Sequence, residues 1–324
     1  MNLAAFLNRL YHWLGKPEAK LPEWSVLTRQ HARCQILVRA FYAFLTFKIM
    51  FEQDIWPSLL GRDSMEPLWP VWWMGSGTPA DLQIQCILYA NLAAVLLVLM
   101  LPQFRSLRIF CFLAFLQYVA FRNSFGKINH WGHLLLFTSF LFIFLPAGWH
   151  QLNPQRTAKA ATSLIIGSCI AVILTTYSMS GLGKIIVGIL DAAQGQPNSF
   201  SPDSLARHVA DRILETGQDS ALGDIIVNAP LLGWPMMLAT IYFQLASVFV
   251  IFRPELHRFW GAVHLLFHAG VYLTMTISFN NSVFMLALFL LASPFAPDTA
   301  SPLKILTRLP CIGRIFSKFW VPNS

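Results

Sequence analysis

The sequence predicts an all-α protein, a polytopic membrane helix bundle of about eight transmembrane helices with short interfacial helices. Of the 324 residues, 56% are hydrophobic and only 12% are charged, whereas soluble domains carry about 25% charged residues. The apolar residues also form long runs, and the intervals between them are too short for a soluble domain. We divide the chain into an N-terminal cytoplasmic segment (1–30), a transmembrane domain (31–300) and a basic cytoplasmic tail (301–324).

The N-terminal segment predicts a short helix that lies on the membrane surface. Its apolar residues recur at helical spacing and are interrupted by Arg9 and His12; they are Leu3, Phe6, Leu7, Leu10 and Leu14. The segment is too polar for a cleavable signal peptide, and no suitable cleavage site follows it.

Eight apolar segments follow and predict eight membrane spans. They lie at 34–51, 82–101, 107–121, 131–145, 163–183, 231–252, 259–279 and 282–296. A helix needs about 20 residues to cross a bilayer, so the third, fourth and eighth segments are short. We expect their polar ends to pack against protein.

The basic residues predict the orientation. If the N-terminus is cytoplasmic, 16 of the 23 lysines and arginines fall on the cytoplasmic side, as the positive-inside rule requires. Both termini are then cytoplasmic. Because the basic residues follow this topology and do not cluster on one face, the net charge of +8 does not predict a nucleic-acid partner.

Two of the predicted outer loops are long. Residues 52–81 hold four tryptophans, which are typical of an aromatic belt at the membrane interface. Within the second loop, residues 184–230, the pattern Ser201-Pro202-Asp203-Ser204 predicts the start of a helix. In that helix Leu205, Val209 and Ile213 share one face, opposite Arg207, Asp211 and Arg212, which predicts an interfacial helix over the outer mouth of the bundle.

Lys184 is the most informative polar residue in the apolar runs. It follows the small residues Ser178, Ser180, Gly181 and Gly183 at the end of the fifth apolar segment, where neighbouring helices can approach closely. A lysine at a helix end can extend its amine to the membrane interface as an anchor. Alternatively, a lysine in a poorly hydrated pocket can act as a general base.

Two histidine pairs also lie in or beside apolar segments: His130 with His133, and His264 with His268. Each pair has the spacing of metal ligands on one helix face, but no third ligand accompanies either pair. Histidines in helix bundles commonly bond to each other or to backbone carbonyls. We therefore predict no metal site, and the five isolated cysteines predict neither a metal site nor a disulfide framework.

Three short elements appear in a recognisable order. They are Trp131-Gly132-His133 preceded by Asn129 and His130, Tyr177 through Lys184, and Phe267-His268 followed by Ala292-Ser293-Pro294. Over roughly residues 30–300 this order resembles the vitamin K-dependent gamma-carboxylase family, including its bacterial HTTM (horizontally transferred transmembrane domain) relatives. The resemblance implies a bacterial inner-membrane protein that lacks the large lumenal domain of the animal enzyme.

The resemblance also implies a chemistry. A reduced quinone of the vitamin K or menaquinol type would be the cofactor, and membrane lipid its surroundings. The family's base is a lysine that deprotonates the quinol, which then reacts with dioxygen and becomes an epoxide, so the resemblance assigns catalysis to Lys184 and His133. Quinone or substrate binding is assigned to His130, Asn129, Trp131, Tyr177, His268 and Asn281.

This chain departs from the family at two positions and in length. Gly132 replaces the asparagine before the family's histidine, and Gly183 replaces the first of two lysines. The missing lumenal domain leaves open whether a peptide or protein on the outer side is carboxylated. A non-catalytic membrane scaffold, immunity protein or maturation partner is the alternative function. A transporter is less favoured, because the sequence contains no inverted repeat with broken helices.

Overall fold

The computed structural model describes residues 24–51, 65–126, 128, 130–220 and 222–313. Within these ranges the regular structure is helical, and an isolated bridge between Met65 and Gly77 is the only extended pairing. The predicted all-α class is therefore confirmed. The predicted surface helix near the N-terminus and the end of the C-terminal tail lie outside the described residues.

Eleven α-helices lie in these ranges. They are α1 (Trp24–Phe51), α2 (Asp81–Met100), α3 (Arg105–Asn123), α4 (His133–Phe142), α5 (Arg156–Ala193), α6 (Ser204–Thr216), α7 (Gly223–Asn228), α8 (Pro230–Val250), α9 (His257–Met275), α10 (Asn280–Leu286) and α11 (Pro302–Arg308). A π-helical turn, Ala287–Leu291, continues α10. Short 3₁₀ turns occur at Trp69–Met74, His130–Gly132 and Pro254–Leu256.

Four of these helices are long and apolar enough to cross a membrane: α1 from Ser25 onward, α2, α5 and α8. The protein is thus a membrane protein by the length and composition of its helices. Each of the eight predicted segments overlaps a helix. However, α4 has only 10 residues, about 15 Å at 1.5 Å per residue, which is about half the thickness of a bilayer core.

Helix α5 packs most extensively against α8, and it also contacts α1 and α4. At the crossing with α8, a Cβ atom added to Gly181 would lie 2.5 Å from the backbone nitrogen of Leu245. The hydroxyl of Ser178 lies beside this contact, donates to the Leu245 carbonyl at 3.0 Å and accepts from the Val248 amide at 2.7 Å. Small residues and a hydroxyl thus hold α5 against α8, as is common between membrane helices.

The outer surface of the bundle is apolar. Leu164, Leu231 and Leu266 are each 70% exposed or more, and similar exposed side chains occur along α1, α2 and α3. A soluble monomer rarely exposes so much contiguous apolar surface, whereas lipid chains cover such a surface without cost.

Helix boundaries differ from the prediction most at the start of α1 and the end of α5. Helix α1 begins at Trp24, ten residues before the apolar run. More importantly, α5 continues nine residues beyond Lys184 to Ala193, so the prediction that Lys184 ends a helix is wrong. The sequence from Ile185 to Leu190 is apolar and extends the helix, which ends where Gly195 adopts a positive φ of 68°.

The tryptophan-rich loop forms a defined structure where it is described. Trp69, Trp72 and Trp73 are exposed on the 3₁₀ turn, while Val71 and Met74 are buried beneath them. This arrangement agrees with the predicted aromatic belt, because the rings project away from the bundle.

Candidate functional site

A cavity of about 670 Å³ lies between α8 and α9, with α5 on one side and α6 over it. Its wall is mostly apolar and includes Met237, Phe243, Val263, Phe267 and Phe279. The size and lining are those of pockets that bury small organic ligands.

Polar groups from four helices face this cavity. They are Lys184 from α5, Gln244 from α8, His264 from α9, and the α6 residues His208, Asp211, Arg212 and Glu215. The α6 residues form a charged rim, in which Arg212 and Glu215 pair at 3.8 Å. The cavity therefore has an apolar interior and a charged edge, an arrangement that suits an amphipathic ligand.

Helix α6 has the amphipathic structure that the sequence predicts. Val209 is fully buried, and Leu205 and Ile213 pack on the same cluster together with Ile226 of α7. The predicted polar face does not simply face solvent, because Asp211 and Arg212 line the cavity. One face of α6 therefore anchors the helix while the other borders the site.

Lys184 is half-buried at the edge of the cavity. Its Nζ donates a hydrogen bond to Ser180 Oγ at 3.0 Å, and that oxygen lies 3.5 Å from Oε1 of Gln244. Within the described part of the chain no carboxylate lies within 4.0 Å of Nζ, since the ion pairs found there involve arginines. The amine thus has a neutral hydrogen-bond partner and lies at the edge of a mostly apolar cavity.

Tyr177 and His268, two further predicted site residues, are in direct contact. The Tyr177 hydroxyl lies 2.5 Å from His268 Nε2, and both side chains are buried. The ring of Tyr177 also stacks on that of His264, with the centroids 4.1 Å apart and the planes at 27°. His264 in turn lines the cavity, so this aromatic network forms part of the support of the site.

The other histidine pair lies elsewhere. His130 lies in the turn before α4 and His133 is the first residue of α4; their Nδ1 atoms are 3.1 Å apart, with His130 exposed and His133 half-buried. Neither is among the residues that line the Lys184 cavity. The structure therefore places Lys184 in the lining of one cavity with Gln244 and His264, and a site shared by Lys184 and His133 stays a prediction.

The structure gives less detail for the remaining predicted site residues, Asn281, Trp131 and Asn129. Asn281 is buried at the start of α10, two residues after Phe279, which lines the cavity and packs on the His268 ring at 4.9 Å. The backbone of Trp131 lies in the turn His130–Gly132. Asn129 lies outside the described residues.

The cavity also contains residues that the sequence analysis did not assign to a site. His264 was considered only as half of a metal pair, and Gln244 was not singled out, although a glutamine in the middle of an apolar run is itself a signal. Across the described ranges no group of three histidine, cysteine, aspartate or glutamate side chains is arranged to hold a metal ion. The histidines instead bond to Ser247, to Tyr177 and to each other.

No protein-family model, curated protein or solved structure matches this chain. The resemblance to the gamma-carboxylase family consequently rests on the short elements quoted above.

Proposed function

We propose that this protein binds a reduced quinone in the cavity between α8 and α9 and uses Lys184 to remove a proton from it. One observation carries the proposal: a single cavity combines an apolar wall with a lysine amine that has no carboxylate partner among the described residues. An isoprenoid quinol needs both features, because its tail is apolar and its hydroxyl must lose a proton to react.

The environment of Lys184 suits a base. A carboxylate beside the amine would favour its charged form, whereas an apolar surrounding favours the neutral amine, which alone can accept a proton. Ser180 and Gln244 supply hydrogen-bonding groups that orient the amine without adding charge. In the proposed reaction the neutral amine takes the quinol proton, and the quinolate then reacts with dioxygen. One quinol and one dioxygen give one quinone epoxide and one water.

In this proposal His264, and not His133, is the histidine next to the ligand, because His264 lines the cavity. Tyr177 and His268 hold the His264 ring in position. Modification of a peptide on the outer side, with the charged rim of α6 as its approach, is the coupled step that the family resemblance implies.

We also propose that all eight helices corresponding to the predicted segments cross the membrane, with both termini cytoplasmic. The short helices α4 and α10 would then cross the membrane together with the polar turns at their ends, and these turns would pack against neighbouring helices. The distribution of lysine and arginine supports this orientation.

A non-catalytic scaffold or maturation partner is the second candidate. It is favoured by the hydrogen bonds of His264 and His268, both of which bond to protein groups as purely structural histidines do. In that case the cavity would hold a structural lipid.

Identification of the bound lipid separates these functions. The protein is purified in nanodiscs made from the lipids of its expression host, its ligands are extracted, and quinones are quantified by mass spectrometry. The proposal expects near-stoichiometric quinone, and oxygen consumption on addition of a short-chain menaquinol. Phospholipid alone, with no oxygen consumption, would favour the scaffold.

A further inference from the structure

The hydroxyl of Ser247, on α8, has three contacts. Together they determine which ring nitrogen of His264 carries the hydrogen. The Ser247 hydroxyl lies 2.8 Å from Nε1 of Trp260, 2.8 Å from the carbonyl oxygen of Phe243 and 2.9 Å from Nε2 of His264. All four residues belong to α8 or α9. Trp260 is fully buried, and so are His264 and Ser247.

A serine hydroxyl has one hydrogen to donate and two lone pairs to accept with. Trp260 Nε1 can only donate, and the Phe243 carbonyl can only accept. The Ser247 hydrogen therefore goes to Phe243, a common bond of serine to the carbonyl four residues earlier in a helix. One lone pair accepts from Trp260, and the other accepts from His264 Nε2–H. This is the assignment in which all three contacts are hydrogen bonds.

A neutral imidazole carries one N–H, so a proton on Nε2 leaves Nδ1 as a hydrogen-bond acceptor. Within the described residues the hydrogen bond of His264 is made through Nε2, while its side chain lines the cavity. Stacking on Tyr177 restricts rotation of the ring. Nδ1 is thus the ring nitrogen left for a ligand, and it can only accept.

Lys184 lines the same cavity as His264. Its Nζ bonds to Ser180, and the His264 ring stacks on Tyr177, three residues earlier in the same helix. One hydroxyl of a quinol could then meet Lys184 while the other meets His264.

We propose that His264 makes the cavity selective for the reduced form of its ligand, by accepting a hydrogen bond from the second hydroxyl of a quinol. A quinone offers two carbonyl oxygens and no donor, so its oxygen would face the Nδ1 lone pair and both groups would be left unpaired. This inference rests on the proposed quinol-binding function. Leaving a buried polar group unpaired is expected to weaken binding of the oxidised form by about 10- to 100-fold.

The test measures dissociation constants for a short-chain menaquinone and for its dithionite-reduced quinol. Binding is followed by isothermal titration calorimetry under anaerobic conditions, with the full chain in nanodiscs. The wild-type protein should bind the quinol about 10- to 100-fold more tightly than the quinone.

Two substitutions of His264 distinguish the roles of its two ring nitrogens. The amide of His264→Gln reaches the position of Nε2 and can keep the bond to Ser247, but it removes the acceptor at Nδ1. The shorter amide of His264→Asn places its oxygen near Nδ1 and gives up the Ser247 bond. His264→Gln should therefore lose the preference for quinol, and His264→Asn should keep most of it.

Ser247→Ala provides a variant that does not change the cavity lining. Without its acceptor, Nε2 is no longer required to carry the proton, so the preference for quinol should fall although His264 is intact. Tyr272 is exposed on α9, the helix that carries His264, and Tyr272→Phe should leave the preference for quinol unchanged. If His264→Gln does not fold, the wild-type ratio and Ser247→Ala decide the question.

The outcomes distinguish this inference from the function on which it rests. Quinol preference in the wild type that is lost in His264→Gln and Ser247→Ala supports it. Equal binding of both redox forms by the wild type, or full preference retained in His264→Gln, overturns the inference while leaving quinone binding in place. Binding of neither form overturns the proposed function itself.

Discussion

The hydroxyl of Tyr177 on α5 lies 2.5 Å from Nε2 of His268 on α9, and both side chains are buried. This bond joins α5 to α9, which forms one wall of the cavity, and the Tyr177 ring also stacks on His264 in that wall. The hydrogen bond therefore fixes the distance between the helix that carries Lys184 and the helix that carries His264.

Tyr177→Phe should destabilise the protein by about 1–3 kcal/mol, since it leaves His268 Nε2 buried without its partner. The ring itself is retained, so packing against His264 should change little. The measurement is the midpoint of thermal unfolding in detergent, followed by intrinsic fluorescence. Tyr272→Phe, which removes an exposed hydroxyl from α9, is the matched control. An equal shift of the thermal midpoint in both variants would show that the bond from Tyr177 to His268 does not stabilise the protein.

Gly181→Ala should destabilise the contact between α5 and α8. The new methyl group would lie 2.5 Å from the backbone nitrogen of Leu245, so the helices must separate, and overpacking of this kind typically costs about 1–3 kcal/mol. Gly183→Ala is the control two residues away, because no atom lies within 4 Å of its added Cβ. It should be neutral or slightly stabilising, since alanine favours helix over glycine. Equal thermal midpoints for the two variants would contradict the close packing.

Lys184→Met should abolish quinol-dependent oxygen consumption while the protein keeps its fold and its bound quinone. Methionine has a similar shape without the amine, and general-base catalysis typically contributes about 10²- to 10⁴-fold. Lys184→Arg should not restore activity, because a guanidinium does not give up its proton at working pH, whereas small added amines should restore part of it to Lys184→Met. Oxygen uptake is measured with an electrode.

Lys304→Met is the control for the loss of one lysine, because Lys304 is exposed on α11 and is distant in sequence from the cavity residues. It should retain wild-type oxygen uptake. Full activity in Lys184→Met would identify Lys184 as an interfacial anchor and would remove it from the proposed mechanism.

The orientation can be tested with cysteine labelling in intact cells. Cys311 is exposed near the C-terminus and should react with a membrane-impermeant maleimide only after the cells are permeabilised, because the proposed topology places it in the cytoplasm. A cysteine introduced at Asp219, in the exposed loop after α6, should react in intact cells. The exposed Cys86 is replaced by alanine to remove background. Labelling of Cys311 from outside would reverse the proposed orientation.

The ion pair between Arg33 and Asp298 predicts a small dependence of stability on pH. The two groups lie 2.8 Å apart, and the hydrogen bond from Arg33 lowers the pKa of Asp298 below its ordinary value of 3.8. Because the folded-state pKa is depressed, the stabilisation is present above pH 3.8 and is lost as the pH falls through the folded-state pKa. Both groups are well exposed, so the effect should be small and should weaken with salt.

The thermal midpoint of Asp298→Asn should accordingly lie slightly below that of the wild type at pH 7, and the difference should shrink as the pH falls below 3.8 and through the folded-state pKa. Asp219→Asn, an exposed acid in the loop after α6, is the control and should show no such convergence. A difference between Asp298→Asn and wild type that does not shrink at any pH below 3.8 would exclude the ion pair as its source.

Much of the helical architecture could be read from local sequence. Every predicted apolar segment overlaps a helix, and Leu205, Val209 and Ile213 share the packed face of α6 as their spacing predicts. Helix ends were less predictable. The end of α5 at Ala193 depends on the positive φ of Gly195, and the apolar residues after Lys184 extend the helix although the lysine interrupts the run.

The candidate site was only partly predictable. Lys184, Tyr177 and His268 stand out in sequence because polar side chains are rare in apolar runs, and the structure places them in or beside one cavity network. His133 was paired with Lys184 because the family resemblance assigns catalysis to both, yet it bonds to His130 and lies outside the cavity lining.

Hydropathy and helical spacing are properties of neighbouring residues, so the amino-acid sequence is enough to predict that this chain forms apolar helices, where they lie and which of them is amphipathic. The packing of the helices adds that α5 crosses α8 at Gly181, that Lys184, Gln244 and His264 line one cavity, and that Ser247 bonds to the His264 ring. Those relationships join residues that are tens of positions apart in the chain. They arise from the packing of one helix surface on another, which no local pattern specifies.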